Sequence, residues 1–306
     1  MPEASVELNE AVALAHALVS SVAKAEALRV IFVKGPGCAL QGLRAAGTLS
    51  SDVDAWEDPT QRGQLAGHLV ARGWLERPKS DLDNFYPVHS RTFYHPQWPC
   101  DIDVHSRFPG MDKEPALVFD ALWSRRTTVT IAHQTVCVPD EEDHALILAL
   151  HSLRTPWNQK GHRELEYLLD QEQVSLRFSP LYERAQETGA AGSARPFLLR
   201  LPDAQPQSAW PPPSDEWLLR TTARSPGSLR LIDILKSPWH RRPRLALNAI
   251  FPRSETLTAR NLHLAVNEPR TRRSAQLARL RGGLTAIPSA LHETRLYLRL
   301  KRSWRE

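Results

Sequence analysis

The sequence predicts an α+β fold, with an α/β unit over residues 1–138 and a mainly helical, basic unit over residues 139–306. Three observations lead there. Up to Pro139, stretches of helical periodicity alternate with short β-branched runs, and beyond it little alternates with period two. The 306 residues are 42% hydrophobic and 24% charged, the balance of a globular chain long enough to bury a core without disulfide staples. The charge is also lopsided. From Arg241 onward fifteen Lys and Arg face four Asp and Glu, a balance of +11 in a chain of +5, which leaves −6 for residues 1–240.

The elements follow in order. Val6 to Leu28 reads as a helix, with Val12, Leu14, Ala15, Leu18, Val19, Val22 and Ala23 recurring at helical spacing. Arg29 to Val33 is a buried strand by its β-branched and aromatic content. It stops at the Lys34-Gly35-Pro36-Gly37 turn, where Pro36 suits the first turn of a helix running to Leu43. Ser50 to Trp56 alternates polar and apolar residues and is a second strand. Pro59 to Arg72 is a helix closed by Gly73, followed by a strand from Trp74. Thr92 to Tyr94 and Cys100 to His105 are two more strands, and Thr127–Ile131 with Thr135–Val138 form a hairpin. Glu141 to Leu153 and His162 to Leu169 are helices, and the five prolines of Leu201 to Asp215 make a stiff loop.

Several classes are excluded by the same reading. No apolar run approaches the roughly 18 residues of a membrane helix. The first residues carry Glu3 and Glu7 and no basic residue, so no secretory signal is expected. The three cysteines, Cys38, Cys100 and Cys137, are far apart and odd in number, which argues against a disulfide framework and for a reducing, cytoplasmic location. The basic tail is either a solvated helical surface or a wall that faces a polyanion such as a nucleotide or RNA.

The chemistry concentrates between Lys34 and His105. Asp52 and Asp54 lie two apart on a strand, so both side chains face one side, about 6.5–7 Å apart. Asp101 and Asp103 repeat the arrangement, and His105 continues their face. If the two strands are neighbours, three or four carboxylates converge, which is costly unless a cation sits among them. Hard oxygen donors in that number suit Mg²⁺, or Mn²⁺, bridging substrate phosphates. Trp56 shares the Asp54 face and is expected to pack in the core. Ser50 and Ser51 are turn residues within reach of a phosphate, and neither has a paired base that would make it a nucleophile.

Val33-Lys34-Gly35, Ser51-Asp52-Val53-Asp54 and Ile102-Asp103-Val104-His105 together resemble the DNA polymerase beta-type nucleotidyltransferase superfamily. Within it, the pattern looks most like an uncharacterised bacterial nucleotidyltransferase family. The resemblance extends through Pro139 to Leu146 with His151 and Glu164 to Asp170, and more loosely to Ile250–Glu255 and Arg279–Leu291. It implies a small mixed sheet flanked by helices and followed by a mainly helical C-terminal part. Asp52, Asp54 and Asp103 would be catalytic metal ligands, Asp103 serving the metal that activates an acceptor hydroxyl. Lys34, Gly35 and Ser51 would bind nucleotide, with Asp101 and His105 as accessories. Pro36 departs from the Ser or Gly usual after the motif glycine and has no N–H to offer a phosphate.

The function so implied is metal-dependent transfer of a nucleoside monophosphate from an NTP to an acceptor hydroxyl on a small molecule, a peptide or RNA. Two alternatives stand beside it: a catalytically degenerate regulatory or toxin–antitoxin type protein on the same fold, and an RNA-binding module using the basic tail. Tyr297 and Trp304 are the aromatics that tail would offer for stacking.

Overall fold

A computed structural model of the chain describes residues 6–78, 85–170, 176–205, 209–250 and 285–304. The expected α+β architecture is present: an N-terminal mixed sheet flanked by helices, then a mainly helical region. The strands are β1 (Val30–Val33), β2 (Asp52–Glu57), β3 (Leu75–Glu76), β4 (Ser90–Tyr94) and β5 (Asp101–His105), with the hairpin β6 (Thr127–Ile131) and β7 (Gln134–Val138). The five-stranded sheet has the order β1-β2-β5-β4-β3. Only β2 and β5 run parallel; the other pairs are antiparallel.

Period-two alternation sorts this sheet into two unlike faces. Val30, Phe32, Val53, Ala55, Phe93, Ile102 and Val104 form one buried cluster with residues of α1 (Leu8–Ala25), α3 (Gln64–Val70) and the hairpin. Each such side chain, fully buried, contributes about 1.5–3 kcal/mol, so the register is strongly held. The intervening residues, Asp52, Asp54 and Trp56 on β2 and Asp101, Asp103 and His105 on β5, are left to the opposite face. Trp56 is fully buried there against Phe108 and Phe119 and packs in the core.

Local chemistry explains the element ends. α1 closes with Leu28 N–H on the Ala23 carbonyl and Ala27 N–H on that of Lys24, which puts Ala27 at φ 54. The single helix expected over 59–72 is divided. Asp58 caps a short 3-10 turn at Pro59–Gln61, Gly63 takes φ 90, and α3 then starts with the Glu57 carboxylate accepting from Gly63 and Leu65 N–H. α2 (Gly35–Leu40) starts at the expected turn, and α4 (Pro115–Arg125) closes the Trp56 end of the sheet.

Four helices follow the hairpin: α5 (Glu141–Leu153), α6 (Gln159–Leu169), α7 (Phe178–Thr188) and α8 (Ala191–Leu198). Of the expected loop, residues 209–214 carry no regular element, and Pro211 to Pro213 lie on Gly192, where a Cβ would collide with the Pro211 carbonyl oxygen. The chain forms two compact units, Met1–Arg77 with His89–Ser214, and Pro78–Val88 with Asp215–Glu306. Pro139 therefore marks a change of secondary structure inside the first unit. The second unit contains α9 (Asp215–Thr222), α10 (Pro226–Lys236), α11 (Arg242–Ile250) and α12 (Ile287–Ser303). Its core is Leu218, Leu219, Ala223, Leu229, Ile232 and Tyr297, with Phe85 and Tyr86 packed against it. Tyr297 is fully buried, with its hydroxyl on Asp215, so it is not a stacking platform. Among the described residues no helix is long and apolar enough to cross a membrane.

Candidate active site

The parallel pairing of β2 with β5 builds the site. Its register sets Asp52 beside Asp101, Asp54 beside Asp103 and Trp56 beside His105. The neighbour relation on which the converging carboxylates depended is therefore present. The four acids nevertheless have different surroundings.

Asp54 is the most buried. Its Oδ1 accepts from the Lys34 ammonium at 2.6 Å and stands 2.8 Å from His105 Nε2. Burial alone would raise its pKa, but Lys34 and the His105 hydrogen bond outweigh burial and hold the carboxyl well below the usual carboxylate range. Asp103, one strand over, is half-buried. Burial raises its pKa, Asp54 raises it further, and a hydrogen bond from Thr92 on β4 partly opposes them. One of its oxygens, Oδ1, is buried without a hydrogen-bond partner. Asp52 is also shifted upward, by burial and then by Asp54. Asp101 turns to Arg77 in a bidentate pair at 2.8 and 2.9 Å, near the surface, where such pairs contribute about 0–1 kcal/mol.

Among the described residues, Asp54, Asp103 and His105 bring one ligand atom each within 4.8 Å of one another. Two carboxylates and an imidazole are a donor set for a divalent cation, and the orphaned Asp103 Oδ1 is an acceptor that a cation would satisfy. The residues present fit a metal. Asp52 and Asp101 lie outside this cluster.

The turn beside the acids is held from below. Lys34 adopts φ 62, a conformation costly for a side chain bearing a Cβ, and Gly35 follows at φ 56. The Lys34 N–H donates to His144 Nε2 at 2.8 Å, and His144 Nδ1–H donates to Gln41 Oε1 at 2.5 Å. Burial pushes the His144 pKa down to about 3, so the ring is neutral and keeps Nε2 as an acceptor. A Cβ on Gly35 would be in ordinary contact with His16 and Ser50 at 3.7 Å, so glycine is required there by its backbone angle rather than by lack of space. Ser50 Oγ accepts from Arg44 at 3.1 Å, and Arg44 is paired with Glu164 of α6. The adjacent Ser51 is exposed, and its carbonyl accepts from Asp101 N–H at 3.4 Å.

Sequence reasoning missed Arg44, Glu164, Thr92, Arg77 and His16. His16 is 1% exposed; its Nδ1 bonds the Val12 carbonyl at 2.7 Å while Nε2 has no partner, and burial lowers its pKa to about 4. A histidine in the apolar stripe of α1 was the one available signal. The others act through partners distant in the chain and have no local signature.

The sequence profile of a family described as uncharacterised nucleotidyltransferases matches residues 4–200. The chain belongs to this family. The match takes in β1 through α8, hence every residue of the site, and ends before Asp215, where the C-terminal segment of the second unit begins. The family resemblance read for Ile250–Glu255 and Arg279–Leu291 falls beyond the matched span, and residues 251–255 and 279–284 lie outside those described. Among solved structures, the chain is similar to the crystal structure of an antigenic nucleotidyltransferase-like protein from Paracoccidioides brasiliensis. The two are 13% identical over 62% of this chain and 87% of that one, with a TM-score of 0.41. Among curated proteins none matches significantly.

Proposed function

We propose that the protein is a metal-dependent nucleotidyltransferase that moves an NMP from an NTP to an acceptor hydroxyl and releases pyrophosphate. The observation that carries this reading is the Asp54–Asp103 pairing on parallel strands, with one buried carboxylate oxygen lacking any partner. Family membership supports nucleotide chemistry in general, and the donor cluster supports a divalent ion, Mg²⁺ or Mn²⁺.

In this reading Asp54 and Asp103, with His105, hold the cation, and Asp52 at the mouth of the strand pair assists. When bound, the cation neutralises phosphate charge and makes the acceptor hydroxyl more acidic. Lys34 and Gly35 border the triphosphate, the lysine as a mobile point charge and the glycine by leaving the backbone bare. Ser51, next in the chain to the Ser50 that Arg44 and Glu164 hold, contributes a further nucleotide contact. Asp101, neutralised by Arg77, is at most an accessory. Phosphoryl and nucleotidyl transfer demands positioning and charge neutralisation more than covalent catalysis, which suits a site with no nucleophile triad. The reaction takes place in the cytoplasm, and the acceptor is a small molecule, a peptide or an RNA engaged by the basic C-terminal region.

The test is incubation of the purified protein with each α-labelled NTP and total cell extract, with and without metal. Label should appear in one class of acceptor, require Mg²⁺ or Mn²⁺, and vanish in Asp54→Asn. Labelling that persists in that variant, or none with any NTP, removes the reading.

A further inference from the structure

We propose that Lys34 is a stand-in cation, which holds Asp54 until a metal–triphosphate complex arrives and then transfers its charge to the triphosphate. This rests on the metal-site reading above and adds to it an order of binding and a ligand preference.

The observations are about competition for one oxygen. Asp54 Oδ1 is the atom that receives the Lys34 ammonium at 2.6 Å, and Asp54 belongs to the donor cluster with Asp103 and His105. Both side chains of the ion pair are nearly closed to solvent, 12% and 5% exposed, so water screens the ammonium poorly. A divalent ion among the same donors would sit within a few ångströms of that ammonium, in the medium where like charges repel most. Metal and ammonium therefore exclude one another unless the lysine moves.

The lysine is built to move without its backbone. Its N–H is fixed to His144, which is fixed in turn by Gln41. Its ammonium, by contrast, rides on a flexible four-carbon stem and is held by the Asp54 carboxylate. What draws it away must be an anion. A free divalent ion offers the displaced ammonium no new partner, whereas a triphosphate bound beside Gly35 does. The site is thus selective for the metal–nucleotide complex over free metal, and Lys34 carries part of a reciprocal coupling between the two ligands.

Removing the ammonium leaves a buried carboxylate without its main cationic partner, which raises the site's demand for any other cation. The test titrates Mn²⁺ into wild type, Lys34→Met, Lys34→Gly and Asp54→Asn, followed by electron paramagnetic resonance, first without nucleotide and then with a non-hydrolysable NTP analogue. Met keeps the apolar stem, and Gly relieves the φ 62 backbone, so at least one variant keeps the fold, as checked by circular dichroism. Free Mn²⁺ should bind the Lys34 variants roughly tenfold more tightly than wild type, within the usual range of ligand coupling. The analogue should bind them more weakly, so the mutual enhancement of metal and nucleotide shrinks. Unchanged or weaker free-Mn²⁺ binding in both folded variants overturns the stand-in role, while Mn²⁺ binding that is lost in Asp54→Asn still upholds the metal site. No Mn²⁺ binding to any form, with or without nucleotide, overturns both.

Discussion

The two faces of the five-stranded sheet come from the same residues read alternately, yet they are organised on opposite terms. On one, Val53, Ile102 and Phe93 are wholly buried against α1 and α3, and many interchangeable apolar contacts share the work. On the other, Asp54 and Asp103 lie across from one another, with few contacts, each specific. The comparison teaches that the apolar face supplies the rigidity the acidic face cannot supply for itself. Clustered carboxylates repel, and only a register locked from behind keeps Asp54 and Asp103 adjacent.

The sharpest way to break the comparison uses neighbours on β4. Phe93→Ala, on the apolar face, should cost about 3–5 kcal/mol in chemical denaturation by the lost transfer energy and the cavity left behind. Thr92→Val, one residue earlier and on the acidic face, should cost about 1 kcal/mol or less and act on Asp103 instead, whose hydrogen bond it removes. Equal losses of stability would mean that the faces are not divided in this way.

Within the acidic face, Asp103→Ala should lower nucleotide transfer by roughly a hundredfold or more, the scale of lost electrostatic assistance, while most NTP binding remains. Asp101→Ala should lose much less, because Asp101 is spent on Arg77. A dead Asp101 variant beside an active Asp103 variant, compared by single-turnover assay, would reverse the assignment.

Acid should weaken the support beneath the site. His144 and His16 are depressed from the ordinary 6.5 to about 3 and about 4, in both cases because burial disfavours the charged ring. Their contribution to stability is complete above pH 6.5 and is lost as pH falls toward the folded values, since the unfolded rings take up protons first. Denaturant midpoints should therefore drop between pH 6.5 and 4. His144→Gln should flatten that slope by at most about 1.4 kcal/mol per pH unit, the linkage of one proton. An unaltered slope would show that His144 does not stay neutral in the folded protein.

The smallest effect lies at the end of α1, behind the apolar face. Ala27 sits at φ 54, where glycine carries no steric penalty, so Ala27→Gly should stabilise by about 1 kcal/mol or less, read as a small rise in melting temperature. A destabilised variant would mean that the Ala27 methyl packs usefully.

The sequence by itself determined the strands, their two faces and the set of acids that gather on one of them. Alternation with period two is a local property, and so are the Lys34-Gly35 turn, the Asp52-x-Asp54 pair and the Asp103-x-His105 pair. It overran at 59–72, where helical periodicity passes through Gly63 but the backbone turns at φ 90. It missed α4, which the short runs on either side obscured. Only the tertiary structure decided which acids differ. Asp52, Asp54, Asp101 and Asp103 are one residue type on two like strands. What separates them is Lys34 and His105 on one, Arg77 on another, Thr92 and an unanswered oxygen on a third. The division of the chain followed the same rule. Periodicity changes at Pro139, but α5 to α8 belong with the sheet's unit and the units part after Ser214. A change in periodicity records which element forms, whereas charge pairing and unit boundaries depend on which distant segments meet, and that is settled by packing in three dimensions.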